Sequence, residues 1–183
     1  MYYLSELLGT AVYDAAGKRV GRVADVSVHT ATLPPRVASL TIRSRGEKAR
    51  RAIGWDDITT LDTGRIQLRV TEDRIEQAQT DDTLLQLGYD LLDQQIIDVN
   101  GRKVVRVNDL LLEIRAAEGQ RELFLFGVDI GLGGALRRLL NGTVPSAWIR
   151  QVEGRVKQTI IPWNYVNLIE ADPRRQVKLN ITH

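Results

Sequence analysis

The amino-acid sequence predicts an all-β protein made of two tandem copies of one small barrel, on the strength of three observations. Residues 7–26 and 91–110 align without a gap at an offset of 84, and eight of the twenty aligned positions are identical. Short apolar segments alternate with turn-forming residues along most of the chain. The chain has 183 residues, which is enough for two small domains that each bury a modest core.

The first copy reads as short strands separated by turns. Strands are predicted at residues 11–13, 20–28, 37–42, 50–53 and 65–70. Asp14 and Gly17 predict a turn between the first two strands, because Asp bonds its own downstream backbone and Gly accepts a positive φ. Pro34 and Pro35 predict a loop, since proline disfavours both helix and ladder. Short strands at such close spacing favour a barrel over a layered α/β fold.

The domain boundaries follow from the repeat. We predict a first barrel at residues 1–72, a linker at 73–88 and a second barrel at 89–183. The linker is polar and acidic, and its apolar residues are expected to line a broken helix that lies on the barrels. These residues are Ile75, Ala78, Leu84, Leu85 and Leu87. We therefore expect the linker to be ordered and partly helical.

The second copy repeats the plan with one insertion. A short strand, an Asn100-Gly101 turn and a long strand open it, and residues 123–129, 160–166 and 177–179 match the later strands of the first copy. Trp163 corresponds to Trp55 at an offset of 108, which is 24 more than 84. We predict a short helical insert at about residues 131–157, because Leu132, Leu136, Leu139 and Leu140 fall on one face of a helix.

The composition excludes several classes of site. The absence of cysteine excludes disulfides and thiolate metal sites, and two isolated histidines do not form a zinc set. No Ser/His/Asp order or glycine-rich phosphate loop occurs, so we predict no catalytic residue, no cofactor and no metal ligand. The N-terminus does not resemble a signal peptide, and no apolar run is long enough to span a membrane. The sequence predicts a soluble, cytoplasmic protein that is not an enzyme.

Four acids recur at equivalent positions of the two copies. Asp14 corresponds to Asp98, and Asp25 corresponds to Asp109. A metal or acid/base role would require carboxylates that converge on an empty pocket. We favour a structural role: turn formation for Asp14 and Asp98, and hydrogen bonds to backbone or arginine for Asp25 and Asp109.

One candidate surface is a basic hairpin that could bind RNA or another anion. Its residues are Arg43, Arg45, Lys48, Arg50 and Arg51, with Arg36 nearby and Glu47 as the offsetting acid. The alternative is a solvated hairpin whose charges discourage edge pairing. We favour the alternative, because no aromatic residue interleaves the cluster.

A second candidate surface lies in the insert. Arg137, Arg138, Trp148 and Ile149 could form a face that docks a partner, and Trp148 has no counterpart in the first copy. The alternative, which we favour, is that the insert caps an open barrel end. Trp55 and Trp163, by contrast, are expected to pack in or against the core, because they occupy equivalent positions.

The repeated motifs resemble a known family. The D-x-x-G turn followed by V-x-R-V-x-D occurs twice, and the second copy closes with Ile-Pro-Trp-x-x-Val at residues 161–166. These features are similar to the PRC-barrel family, which includes the photosynthetic reaction-centre H subunit and the ribosome-maturation factor RimM. Residues 91–110 look like the second PRC barrel of bacterial MgtE-type magnesium-transporter-like proteins. The resemblance covers about residues 4–179, and it implies two tandem PRC-type barrels.

The resemblance implies a non-catalytic adaptor or regulatory module. In the MgtE-type proteins a PRC region precedes a helical MgtE domain and CBS domains, so the expected partners are other protein domains, including such domains of the same chain. The chain contains neither domain, and no residue of it inherits a magnesium-sensing role. Two alternatives are an RNA- or ribosome-associated factor of RimM type and a peripheral membrane-associated protein. The oligomeric state is left open.

Overall fold

We analysed a computed structural model, which describes residues 1–44, 46, 49–79, 81, 83–98, 103–117, 120–131 and 159–168. Strands dominate these residues, and each helical element is a single turn. The strands are β1 (Tyr2–Tyr3), β2 (Ala11–Tyr13), β3 (Arg19–His29), β4 (Arg36–Arg43), β5 (Arg50–Gly54), β6 (Ile58–Leu61), β7 (Arg65–Leu68), β8 (Glu76–Gln77), β9 (Leu84–Gln86), β10 (Gln95–Asp98), β11 (Lys103–Arg106), β12 (Asp109–Ala117), β13 (Gln120–Asp129), β14 (Ile160–Pro162) and β15 (Val166–Leu168). The mostly β composition confirms that the protein is of the all-β class.

The helical turns punctuate the strands. An α-helical turn spans Leu4–Leu7, a π-helical turn spans Leu87–Leu91, and 3₁₀ turns span Trp55–Asp57, Glu72–Arg74 and Trp163–Tyr165. The Leu4–Leu7 and Leu87–Leu91 turns occupy equivalent places, just before β2 and β10 respectively. The tryptophan turns are equivalent as well, because each follows a strand and leads directly into another.

The predicted turn between β2 and β3 is confirmed. Oδ1 of Asp14 accepts the backbone N–H groups of Ala16, at 3.0 Å, and of Lys18, at 2.8 Å. Gly17 has a φ of 78°, in the left-handed region that glycine adopts without steric strain. The turn thus aligns β2 antiparallel to β3, and β3, β4 and β5 continue as an antiparallel meander.

One curled sheet runs through both copies. Its main path is β1-β12-β13-β4-β3-β2-β7-β6, with β14 on β13, β5 on β4, β8 on β5 and β9 on β3. The copies meet at β4 and β13, where Phe124 lies opposite Arg36 and the N–H of Leu125 donates to the carbonyl of Pro35 at 2.8 Å. A second sheet has the order β11-β10-β15.

The two copies also share one hydrophobic core. The buried apolar residues of β3 and β4 pack with leucines of the Leu4–Leu7 turn, the Leu87–Leu91 turn, β12 and β13. Fully buried examples are Leu4, Leu7, Leu40, Ile42, Leu87, Leu91, Leu110 and Leu112. Because these come from both copies and from the connection between them, burial of apolar surface favours folding of the whole as one unit.

Several predicted elements need correction. The broken helix expected in the linker is wrong for Leu84 and Leu85, which lie in β9 and pair with β3. Pairing with an open strand edge supplies their backbone hydrogen bonds without a helix. In addition, the sequence did not indicate β6, and β7 ends at Leu68 rather than at residue 70.

The long strand predicted in the second copy is divided. β11 belongs to the smaller sheet and β12 to the larger one, and the chain crosses between them at Val107 and Asn108. Val107 donates its N–H to the carbonyl of Gln94 at 2.9 Å, and Asn108 donates to the carbonyl of Asp129 at 2.8 Å. These two hydrogen bonds replace the ladder that would continue a single strand.

The pairing of the first strand also differs between the copies. In the first copy β7 lies between β2 and β6, whereas in the second β10 pairs directly with β15, the equivalent of β6. The predicted strand at residues 177–179, the Asn100-Gly101 turn and the helical insert, apart from Gly131, lie outside the described residues. Within the described part of the chain, no helix is long and apolar enough to cross a membrane.

Candidate functional site

Asp25 holds the turn that opens the second copy. Its carboxylate is buried and accepts backbone N–H groups from Gly88 at 2.6 Å, Tyr89 at 3.1 Å and Val26 at 2.7 Å. Burial raises the pKa of Asp25, while these three donors act in the opposite direction and the nearby Asp90 adds to the rise. The contact is structural, in agreement with the sequence prediction.

Asp109 holds the turn that opens the first copy. Its carboxylate is fully buried and accepts the backbone N–H of Ser5 at 3.1 Å, the Ser5 hydroxyl at 2.5 Å and the N–H of Leu110 at 2.9 Å. Ser5 is buried as well. Since Asp25 and Asp109 are equivalent residues, the two contacts form a reciprocal pair between the copies.

Backbone pairing reinforces this exchange. β1 of the first copy pairs with β12 of the second, and β9, just before the second copy, pairs with β3 of the first. Local hydrogen bonds repeat at the same offset: Gly9 donates to Val23, and Asp93 donates to Val107. Gly9 and Asp93 both have positive φ, at 82° and 67°. The sequence repeat is therefore also a repeat of backbone conformation at these positions.

Asp14 takes part in a polar network beside its turn. Its Oδ2 accepts the N–H of Glu72 at 3.2 Å, and Glu72 forms ion pairs with Lys18 at 2.5 Å and Arg51 at 3.1 Å. The hydrogen bond from Lys18 is the largest cause that lowers the pKa of Glu72, and the same bond raises the pKa of Lys18. This network ties the end of the first copy to its first turn.

The predicted basic surface is only partly assembled as expected. Arg43 and Arg50 are exposed and lie directly opposite each other on β4 and β5. Arg51 is largely buried and donates to the carbonyl of Val20, to Ser44 and to Glu72. Its guanidinium therefore belongs to the polar network and not to the basic surface. Arg45 and Lys48 lie outside the described residues.

The other sequence-predicted residues have mixed outcomes. Arg137, Arg138, Trp148 and Ile149 lie outside the described residues, so the surface in the insert stays a prediction. Trp55 and Trp163 are partly buried against the core, as expected. The indole N–H of Trp55 also donates to the carbonyl of Arg121 at 2.7 Å, which adds a contact between the copies.

An exposed apolar pair lies on the smaller sheet and was not predicted from the sequence. Ile97 of β10 lies directly opposite Val104 of β11, and their exposed fractions are 38% and 59%. The equivalent of Val104 in the first copy is Val20, which is 2% exposed. In that copy the register between β2 and β3 shifts, so that Tyr13 pairs with Arg19 and Val20 turns toward the core.

The regular ladder of the second copy creates this apolar surface. With no register shift between β10 and β11, Val104 shares the outer face with Ile97. A signal was present in the sequence, because Ile96 and Ile97 are adjacent apolar residues and neighbouring strand positions face opposite sides. Among the described residues, no group of three or more His, Cys, Asp or Glu is arranged to hold a metal ion.

Comparison with known families identifies the first part of the chain. The profile of the PRC-barrel domain matches residues 1–75. The matched region contains Asp14, Asp25 and the strands β1 to β7. No curated protein matches the chain. Residues 1–75 are thus a PRC-barrel domain.

Proposed function

We propose that the protein is a non-catalytic binding module made of two PRC-type barrels in tandem, whose surfaces dock other protein domains. The match at residues 1–75 supports the first barrel. The second is supported by the identities at an offset of 84 and by the backbone hydrogen bonds that recur at that offset. The module is not an enzyme, and its location is the cytoplasm.

The hydrogen bonds that the buried aspartates accept support a non-catalytic role. A catalytic carboxylate needs access to a substrate and a pocket that holds it. Asp14, Asp25 and Asp109 instead accept backbone N–H groups that define turns and join the copies. These residues stabilise the scaffold, and the function is assigned to exposed surfaces.

The exposed Ile97–Val104 pair is the single observation that carries the docking function. Its neighbours on the same face are Gln95 and Arg106, which also lie opposite each other. An apolar centre with a polar surround is the usual composition of a protein-binding patch. The equivalent valine of the first copy, Val20, is buried, so only the second copy has this surface. The second copy therefore buries less apolar area at this position.

The partner we propose is a domain of a magnesium-transporter-like CBS protein, of which this chain would be the N-terminal PRC region. The resemblance of residues 91–110 to such proteins is the basis of this proposal. Reading the native gene past the codon for His183 tests it. A helical MgtE-type domain followed by CBS repeats is the expected result, whereas a stop codon would contradict this context.

A binding experiment tests the docking surface itself. The double variant Ile97→Lys and Val104→Lys should weaken binding to the separately expressed downstream domains by at least tenfold, because it places charge at an apolar contact. Leu33→Lys is a matched control, since Leu33 is exposed in a loop of the first copy. Isothermal titration calorimetry measures both. Equal affinity of the double variant and the control would contradict the assignment of the docking function to this patch.

A further inference from the structure

Three arginines form a row on the outer face of the first copy. Arg22 of β3 lies directly opposite Arg43 of β4, and Arg43 lies directly opposite Arg50 of β5. Directly opposite residues of antiparallel strands share a face, with Cβ atoms about 5 Å apart. All three side chains are exposed. The row includes Arg22, which was not part of the basic surface predicted from the sequence.

A row of like charges is unfavourable for the folded protein alone. Like charges directly opposite each other on a sheet destabilise it. Arg22 is fixed in part, because its guanidinium donates to the carbonyl of Gly9 at 2.6 Å. Arg51 points away from the row and is bound in the network with Glu72. An anion that contacts the row would relieve the repulsion among Arg22, Arg43 and Arg50.

A residue with an exposed aromatic side chain is anchored to β3, the strand that carries Arg22. Asp25 is directly opposite Thr41, and Arg43 follows Thr41 by two residues, about 7 Å along the strand. The backbone N–H of Tyr89 donates to Asp25, which places the Leu87–Leu91 turn beside this part of β3, directly after β9. The Tyr89 side chain is 61% exposed. The aromatic residue missing from the basic segment of the sequence thus comes from a distant segment.

Acidic groups bound the row on two sides. Glu76 of β8 is exposed and lies opposite Ala52, which is opposite Thr41, so Glu76 shares the outer face. Asp90 belongs to the same turn as Tyr89, and its carboxylate accepts the N–H of Gln86 at 2.8 Å. These charges disfavour an anion over β8 and close to Asp90. The arginine row itself is the favourable position for a phosphate group.

We propose that this face binds single-stranded nucleic acid, with phosphate groups on Arg22, Arg43 and Arg50 and one base stacked on Tyr89. The planar guanidinium group matches the geometry of a phosphate. Positively charged grooves combined with aromatic stacking are the general means by which proteins bind single strands without sequence preference. The arginine row lies on the first copy and Tyr89 in the turn that opens the second, and the site is separate from the protein-docking patch on β10 and β11.

A labelled single-stranded RNA of about 10 nucleotides, the length range of one small barrel site, is the probe. Fluorescence anisotropy with the full chain should show saturable binding at low salt. Three phosphate contacts predict that affinity falls roughly 20-fold between about 50 and 200 mM salt. The double variant Arg43→Gln and Arg50→Gln should lose most of the affinity. Arg115→Gln with Arg121→Gln is the matched control, because it removes two exposed arginines from β12 and β13.

Substitution of Tyr89 tests base stacking separately from the contribution of charge. Tyr89→Ala should weaken binding about tenfold, and Tyr89→Phe should retain most of it, because stacking requires the ring. Glu76→Gln should strengthen binding. No binding at low salt would overturn the proposal, as would equal loss in the two double-arginine variants. Tighter binding of an RNA duplex, or binding of anionic phospholipid vesicles in place of RNA, would also overturn it.

Discussion

Asp25 and Asp109 occupy the same position in the two copies of the repeat, and each accepts backbone hydrogen bonds from the turn that opens the other copy. The exchange is reciprocal, because Tyr89 donates to Asp25 and its equivalent, Ser5, donates to Asp109. Each contact buries a carboxylate that is acceptable only while its N–H donors stay in place. The copies therefore stabilise each other through the same pair of residues.

Removing the Ser5 hydroxyl should weaken this exchange. Ser5→Ala deletes the 2.5 Å hydrogen bond to Asp109 and leaves a fully buried carboxylate with one donor fewer. We expect a loss of about 1–3 kcal/mol in the free energy of unfolding. Urea denaturation measures it. Ser39→Ala is the control, since Ser39 is half-buried in β4 and should change stability little. Equal stability of the two variants would contradict the role of the Ser5 contact.

Gly88 tests the opposite contact. A methyl group at this position would lie 2.9 Å from Oδ1 of Asp25, closer than a Cβ atom normally approaches oxygen. Gly88→Ala should push the turn away from Asp25 and cost about 1–3 kcal/mol of unfolding free energy, because a buried acceptor loses its donors. Gly64→Ala is the matched control, since its added methyl group would meet nothing within 4 Å. Thermal denaturation distinguishes the two, and similar melting temperatures would contradict the prediction.

The ionisation of Asp25 should produce a measurable pH dependence. Burial is the largest cause that raises the pKa of Asp25 above its ordinary value of 3.8. The stability that this group contributes is therefore full below pH 3.8 and is lost as pH rises through the pKa of the folded state. Asp25→Asn lacks the titration. The unfolding free energy of the wild type, relative to this variant, should decline as pH rises from 3.8 toward neutrality.

Comparing two proteins removes the contributions of other acids. The lowered pKa of Glu72 gives an opposite slope, with stability present above pH 4.5 and lost as pH falls, but it acts equally in both proteins. Urea denaturation at a series of pH values gives the difference. A difference that grows with pH would show that the N–H donors of Gly88, Tyr89 and Val26 outweigh burial.

The sequence predicted the parts of the fold that depend on local interactions. The turn at Asp14 and Gly17 and the strands β2 to β5 follow from neighbouring residues, and the structure confirms them. The repeat also predicted that Asp25 and Asp109 are structural. It did not predict their partners, because Gly88 and Ser5 reach them only after the copies pack together.

The candidate surfaces were harder to predict for the same reason. Val104 and Val20 are equivalent in sequence, yet a register shift between β2 and β3 buries one of them, while the regular pairing of β10 and β11 exposes the other. Tyr89 lies far along the chain from Asp25, so no local pattern predicted that the Leu87–Leu91 turn would pack beside β3. Register and long-range docking depend on the tertiary structure and leave weak traces in a single sequence.

The shared core leads to a last prediction, on fragments of the chain. The matched domain at residues 1–75 lacks β9 and the Leu87–Leu91 turn, which contribute Leu85, Leu87 and Leu91 to the core. Loss of these three leucines should cost on the order of 5 kcal/mol, at about 1.5–3 kcal/mol each. A fragment of residues 1–75 should therefore be much less stable than one of residues 1–91, although both lack Asp109. The full chain should unfold in one transition, because each copy binds the opening turn of the other.

Urea denaturation followed by tryptophan fluorescence and circular dichroism measures the stability of the two fragments and of the full chain. Equal stability of the two fragments, or two separate transitions in the full chain, would show that the copies fold independently and that the exchange is incidental.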